Sequence, residues 1–83
     1  MILKNKISLV TGGATGIGKA TVETFAQQGA TVIFCDINKQ NGLSTQKKLK
    51  ESGLKTYFFQ ADVSKEKEVK LLYKYIIKNF KTI

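Results

Sequence analysis

A glycine-rich segment, Thr11-Gly12-Gly13-Ala14-Thr15-Gly16-Ile17-Gly18, follows a short apolar run in this 83-residue chain. The run, residues 7–10, is typical of a buried strand, and residues 16–28 show apolar residues at helical spacing. A turn that joins a strand to a helix places unpaired backbone N–H groups and the positive end of the helix dipole at one point. Glycines there allow the chain to turn sharply and an anion to come close. The segment therefore predicts a phosphate-binding turn.

Two phosphate-binding patterns compete for this segment. The phosphate loop of nucleotide triphosphatases, G-x-x-x-x-G-K-[ST], matches Gly13 to Lys19, but Ala20 stands where a hydroxyl would hold magnesium. The pattern T-G-x-x-x-G-x-G is matched in full, by Thr11, Gly12, Gly16 and Gly18. The second pattern is favoured, and a phosphate-loop nucleotide-binding module stays an alternative.

Residues 11–20 resemble the cofactor loop of the short-chain dehydrogenase/reductase family. The resemblance implies a Rossmann-type three-layer α/β fold and hydride transfer between NAD or NADP and an alcohol or carbonyl. It also implies that Gly12, Gly16 and Gly18 line the pyrophosphate. The loop residues expected to bind cofactor are Gly12, Ala14, Thr15, Gly16, Ile17 and Gly18.

Two aspartates follow predicted strands. Asp36 stands eighteen residues after Gly18, near the distance at which an acidic residue accepts hydrogen bonds from the adenosine ribose. A 2′-phosphate would be repelled there, and the neighbours Ile37 and Asn38 add no basic group, so NAD is favoured over NADP. The alternative is that Asp36 only begins the next turn.

The second aspartate, Asp62, is followed by Val63. By resemblance, Asp62 accepts a hydrogen bond from the adenine amino group and Val63 packs on the ring. The alternative is a loop acid that precedes a capping residue, Ser64. The expected cofactor-binding residues outside the loop are Asp36, Ile37, Asp62 and Val63.

Strand and helix patterns alternate three times, which predicts an α/β fold with a three-stranded parallel sheet and flanking helices. Residues 1–83 would form one domain, the N-terminal half of a dinucleotide-binding Rossmann domain. The second helix has only two large apolar residues, so we expect it to be exposed and loosely held. The predicted strands are 7–10, 31–35 and 55–61, and the predicted helices are 16–28, 38–52 and one that begins after a Ser64 cap. The residues expected to face the core are Ile17, Ala20, Phe25 and Ala26 in the first helix and Val69, Leu72, Tyr73, Ile76, Ile77 and Phe80 in the third.

The catalytic groups of the family are missing from the sequence. The resemblance implies an Asn-Ala-Gly segment, a Ser and a Tyr-x-x-x-Lys pair in later parts of a family member, and no tyrosine here has Lys four residues on. Tyr57, Tyr73 and Tyr75 are therefore interpreted as packing residues, no catalytic residue is assigned, and the chain is expected to be a truncated form that is inactive alone. The alternative is a truncated gene product with neither binding nor activity.

Composition excludes several other classes. A single Cys and no His exclude a zinc site and a His-based triad, and no metal-binding residue is assigned. The lone Cys and the lack of a signal peptide or long apolar run favour a cytoplasmic protein without a membrane segment. The net charge is +8, but the lysines are spread along the chain, so nucleic-acid binding is not favoured.

Strand order also predicts a partner. In a Rossmann sheet, ordered 3-2-1-4-5-6, the first strand pairs with a fourth. Because no fourth strand is present in the sequence, residues 7–10 would form an exposed apolar edge. We therefore expect self-association, a homo-oligomer formed through the first strand or the last helix.

Overall fold

The computed structural model describes residues 5–80, in which strands and helices alternate. The strands are β1 (Ile7–Thr11), β2 (Thr31–Asp36) and β3 (Thr56–Gln60), and the helices are α1 (Gly16–Gln27), α2 (Lys39–Glu51) and α3 (Glu66–Phe80).

The three strands form one parallel sheet in the order β1-β2-β3. Ile33 of β2 lies between Leu9 of β1 and Tyr57 of β3 in the register of the sheet. The predicted fold class is confirmed. Within residues 5–80, β1 is an edge strand, because its only paired neighbour is β2.

Side chains of β2 alternate between two cores, as the period of a strand requires. Val32 and Phe34 pack with residues of α1 and α2 on one face of the sheet. Ile33 and Cys35 pack with α3 on the other face. These four β2 residues are at most 1% exposed, which explains why the strand is apolar at consecutive positions.

One of the two helix caps predicted from the sequence is observed. The Asn38 side chain accepts the backbone N–H of Asn41, so it caps α2 as expected. The expectation that Ser64 caps α3 is wrong. Its hydroxyl donates to Oδ1 of Asp62 at 2.6 Å, and the helix begins two residues later, at Glu66. The carbonyl oxygen of Lys65 accepts the first backbone bonds of the helix, so Lys65 and not Ser64 stands at the N-cap position.

Three expectations about packing need correction. In α1, Ile17 and Ala20 are exposed, because they lie in the turns next to the glycine-rich loop rather than over the sheet. In α3, Tyr73 is 55% exposed and Ile77 60%, because they lie outside the face that Leu72 and Ile76 bury against the sheet. Tyr73 is thus no core residue, whereas Tyr57 packs edge-to-face with Phe80.

The expectation that α2 is loosely held is also wrong. Its buried face consists of Gly42, Thr45 and Leu49. A Cβ at Gly42 would overlap the ring of Phe58, so the missing side chain brings the helix backbone onto β3. Close approach of the backbone at Gly42, together with the burial of Leu49, fixes this helix.

None of the helices described within residues 5–80 is long and apolar enough to cross a membrane.

Candidate functional site

The carboxyl ends of the three strands meet at one edge of the sheet, because the strands are parallel. The glycine-rich loop follows β1, Ile37 follows Asp36 at the end of β2, and Asp62 and Val63 come shortly after β3. The fold therefore brings every residue expected to bind cofactor to the same edge. Ligands of open α/β sheets bind at this edge.

The glycine-rich loop has an open side and a packed side. Gly12 and Gly16 have positive φ angles, 66° and 56°, and a Cβ on either would meet nothing within 4 Å. Gly13 faces inward, where a Cβ would lie 2.6 Å from Cβ of Phe34. At Gly18 a Cβ would clash with the carbonyl oxygen of Gly12, so this glycine allows the helix to start against the loop. The open side leaves room for a ligand.

The first turn of α1 is free to bind an anion. Thr15, at the N-cap position, makes no side-chain capping bond, and the first turn contains no acidic residue. The first N–H groups of a helix have no partner within it. The other two helices differ, since Asn38 caps α2 and α3 carries Glu66 and Glu68 in its first turn. An external anion would supply the missing negative charge at α1.

The Asp36 carboxylate joins the loop to the end of β2. Its Oδ2 accepts the backbone N–H of Ala14 at 3.2 Å, and its Oδ1 accepts that of Asn38 at 3.0 Å. Each carboxylate oxygen can accept a second hydrogen bond. Asp36 is half-buried, so the oxygens keep capacity for hydroxyl groups of a ligand at the site.

Asp62 makes local bonds to the loop that follows it. Its Oδ1 accepts both the hydroxyl of Ser64 at 2.6 Å and the backbone N–H of the same residue at 3.0 Å. These bonds, the hydroxyl first, hold the pKa of Asp62 below its ordinary value, so the group is a carboxylate at neutral pH. Within residues 5–80, Oδ2 has no hydrogen-bond partner, and it can serve as an acceptor.

Exposed apolar side chains surround this edge. Ile17 is 87% exposed, Ile37 64% and Val63 47%. Each follows a different strand, and large apolar side chains that gather at one exposed place often mark a ligand or protein contact. Exposing these three side chains to water does not stabilise the fold, so their exposure needs another explanation.

Cys35 and Tyr75 are poorly placed for nucleophilic or acid–base work. Burial raises the pKa of the Cys35 thiol, which stays protonated and 1% exposed in the core. Burial also raises the pKa of Tyr75, whose ring packs against Phe59 with 4.9 Å between ring centroids. Neither group has the lowered pKa that catalysis would need.

Two residues of α2 that help to hold the loop, one by direct contact and one by placing the helix, were not found from the sequence. The Thr45 hydroxyl of α2 donates to the carbonyl oxygen of Ala14 at 3.4 Å, and Gly42 brings α2 close enough for this contact. The available signal was their spacing with Leu49, which places all three on one face of an otherwise polar helix.

Comparison with known proteins gives a consistent result. The family model described as "short chain dehydrogenase" matches residues 6–83. The chain is 47% identical over 68 residues to 3-hydroxyacyl-CoA dehydrogenase type-2 of Drosophila melanogaster, an alignment that covers 82% of this chain and 26% of that protein. It is 37% identical over 76 residues to a diacetyl reductase [(S)-acetoin forming] of Staphylococcus epidermidis, covering 92% of this chain and 30% of that protein.

The fold is also similar to solved structures. A citronellol catabolism dehydrogenase of Pseudomonas aeruginosa superposes with a TM-score of 0.95 at 28% identity, over 99% of this chain and 34% of that one. The chain thus spans about a quarter to a third of the length of the proteins it matches.

Proposed function

We propose that this chain, which belongs to the short-chain dehydrogenase family, is the NAD-binding portion of an oxidoreductase. The observation that carries the proposal is the uncapped first turn of α1, held beside Asp36 through the Ala14 N–H. Residues 1–83 are proposed to be the N-terminal half of a dinucleotide-binding Rossmann domain.

The pyrophosphate is assigned to the open side of the glycine-rich loop. Backbone N–H groups at the start of α1 would donate to its oxygens, and the helix dipole would favour its charge. Gly12 and Gly16 leave the space, and Gly18 keeps the helix close to the loop. Ala14 is buried and supports the loop from behind, whereas Thr15 and Ile17 face outward.

The adenosine is assigned to the ends of β2 and β3. Asp36 would accept hydrogen bonds from the ribose hydroxyls with the capacity left on its two oxygens. A 2′-phosphate would meet the negative charge of the same carboxylate, which favours NAD over NADP. Asp62 would accept a hydrogen bond from the adenine amino group, and the exposed side chains of Ile37 and Val63 would pack against the base.

The cofactor, when bound, would accept hydride from an alcohol as NAD or donate hydride to a carbonyl as NADH. The proposed substrate is an alcohol or carbonyl, in keeping with the family and with the names of the relatives, a hydroxyacyl dehydrogenase and a diacetyl reductase. No residue of this sequence is assigned to proton transfer, because none of its tyrosines begins a Tyr-x-x-x-Lys pair. Residues 1–83 alone are proposed to bind cofactor without catalysing the reaction.

The proposed partner is a second copy of the chain. A groove, here named the β1 groove, runs between the free edge of β1 and α3. The β1 groove is lined by Leu9, Thr11, Val63, Val69, Leu72, Tyr73 and Ile76. Its apolar lining would be covered if the β1 edges of two copies paired across a two-fold axis.

The cytoplasmic location expected from the sequence stays a prediction.

Titration of the chain with NADH, followed by calorimetry, tests the cofactor assignment. Binding that saturates at or below millimolar cofactor supports it, and ATP with magnesium should show no binding. Absence of NADH binding at millimolar concentration would instead support a chain with neither binding nor activity.

A further inference from the structure

The Ala14–Thr15 peptide group is held by a side chain from another element. The Thr45 hydroxyl of α2 donates to the carbonyl oxygen of Ala14, and both residues are 3% exposed. The two residues lie 31 positions apart in the chain, so the contact fixes the loop relative to α2. The place of α2 itself is set where Gly42 meets Phe58.

The contact also sets the direction of the Thr15 N–H group. A peptide group is planar, and in a trans peptide the C=O and the following N–H point in opposite directions. No cis peptide occurs within residues 5–80. The Ala14 carbonyl points inward to Thr45, so the Thr15 N–H of the same peptide group points away from α2. Thr15 is exposed and stands directly before the first turn of α1.

A second bond holds the preceding peptide group. The Ala14 N–H donates to Oδ2 of Asp36 at 3.2 Å. The peptide groups on both sides of Ala14 are thus fixed, one by a carboxylate at the end of β2 and the other by a hydroxyl on α2. Preorganised N–H donors bind an anion more tightly than mobile ones, because less conformational freedom is lost on binding.

We propose that Thr45 is a positioning residue for the diphosphate of the cofactor, which it never touches. Its buried hydroxyl sets the plane of the Ala14–Thr15 peptide group and so directs the Thr15 N–H toward the open side of the loop. The inference rests on the proposed cofactor assignment, but the orientation of the peptide group exists without cofactor and can be measured without it.

The chain offers a matched control for the test. Thr56 is 0% exposed, and its hydroxyl is buried with no hydrogen-bond partner in the described part of the chain. Thr45→Val and Thr56→Val therefore make the same chemical change at two buried positions, and only the first removes a bond to the loop. Thr45→Ser keeps the hydroxyl and should restore the behaviour of the unchanged chain.

Three measurements are made on the full chain and its variants. Amide hydrogen exchange at Ala14, followed by NMR without cofactor, reports whether the loop is held, because this N–H donates to Asp36. The residual dipolar coupling of the Thr15 N–H, also measured without cofactor, reports the direction of that group, and calorimetric titration with NADH reports the affinity. We expect Thr45→Val to speed exchange at Ala14 several-fold, to change the Thr15 coupling and to weaken NADH binding about 2- to 10-fold, the range that one hydrogen bond accounts for. Thr45→Ser and Thr56→Val should leave all three measurements close to those of the unchanged chain.

The outcomes separate this inference from the cofactor assignment. If the exchange rate at Ala14 and the dipolar coupling of the Thr15 N–H are the same in the unchanged chain and in Thr45→Val, the inference is overturned, whatever the affinity for NADH. Faster exchange in Thr45→Val, in a chain that binds no NADH at all, would support the positioning of the loop and overturn the cofactor assignment. If Thr45→Val does not fold, the pair Thr45→Ser and Thr45→Ala gives the same comparison, since only serine keeps the hydroxyl.

Discussion

The backbone N–H of Ala14 donates to Oδ2 of Asp36 across 3.2 Å, which ties the glycine-rich loop after β1 to the carboxylate at the end of β2. The bond joins the two parts of the proposed site, one for the pyrophosphate and one for the ribose. A change at Asp36 should therefore affect both the recognition of the ribose and the shape of the loop.

Asp36→Asn should weaken NADH binding about tenfold or more. Asparagine removes the negative charge and offers one acceptor oxygen where two backbone N–H groups now donate, and hydrogen bonds to charged groups contribute about 1.5–3 kcal/mol. The ratio of NADPH to NADH affinity should rise, because the charge that repels a 2′-phosphate is gone. Calorimetry with both cofactors measures the two effects. Glu51→Gln, which removes the same charge from the exposed end of α2, is the control. An unchanged cofactor preference would argue against ribose binding by Asp36.

Ile17→Ala should weaken NADH binding by up to about tenfold, since the apolar contact with the ligand is lost. The free energy of unfolding should change by no more than about 0.5 kcal/mol, because Ile17 is 87% exposed. Urea denaturation and NADH titration distinguish the two effects. Leu43→Ala alters an exposed apolar side chain, 47% exposed on α2, that was not assigned to the site. Equal loss of affinity in both variants would contradict a specific role for Ile17.

Gly18→Ala should lower the free energy of unfolding by about 1–3 kcal/mol, the cost of forcing extra volume into a packed place. A Cβ at this position would clash with the carbonyl oxygen of Gly12, which belongs to the backbone and cannot rotate away. Cofactor affinity should fall as well, because the helix start would move relative to the loop. Urea denaturation is the first measurement. Thr24→Ala, an exposed change on the same helix, should be close to neutral. A stable Gly18→Ala protein would show that the loop and α1 are less closely packed than described.

Ser64→Ala should raise the pKa of Asp62 toward its ordinary value of about 3.8, because the hydroxyl is the main group that lowers it. In the unchanged chain the pKa is lower in the folded state than in the unfolded state. The stabilising effect is therefore complete above the unfolded-state pKa and is lost as the pH falls through the folded-state pKa. NMR titration of the Asp62 carboxyl carbon below pH 5 measures the pKa directly. An identical titration curve in the variant would rule out control by Ser64.

Some features of the fold and of the candidate site depend only on residue types and their order, and these could be predicted from the sequence. The alternation of strand and helix patterns was enough to predict the parallel sheet, and the loop pattern from Thr11 to Gly18 and the position of Asp36 after a β-branched and aromatic run were enough to select the candidate site residues. The roles assigned to those residues toward a cofactor stay predictions. The Asn38 cap was found because its side chain acts on its own helix.

What the sequence did not reveal depends on contacts between distant residues. The bond from Thr45 to Ala14 and the close approach of Gly42 to Phe58 join residues far apart in the chain, and neither leaves an apolar pattern. Counting large apolar side chains therefore made α2 look loosely held. The error at Ser64 is an exception, because its partner Asp62 is only two residues away and accepts both its hydroxyl and its backbone N–H. The helix begins one position later than a Ser64 cap requires.

Self-association through the free edge of β1 should depend on both salt and the β1 groove. The chain carries a net charge of +8, so two copies repel each other at low ionic strength, and added salt should strengthen their association by screening. Tyr73→Lys should weaken association, because it places a charge in the groove. Leu71→Lys is the control, because it places a charge on the same helix outside the groove. The Leu71 and Tyr73 side chains are both 55% exposed, so the two substitutions are closely matched. Size-exclusion chromatography with light scattering, at several concentrations and two salt levels, measures the mass. A monomer under every condition, or equal disruption by the two substitutions, would exclude the β1 groove as the contact between copies.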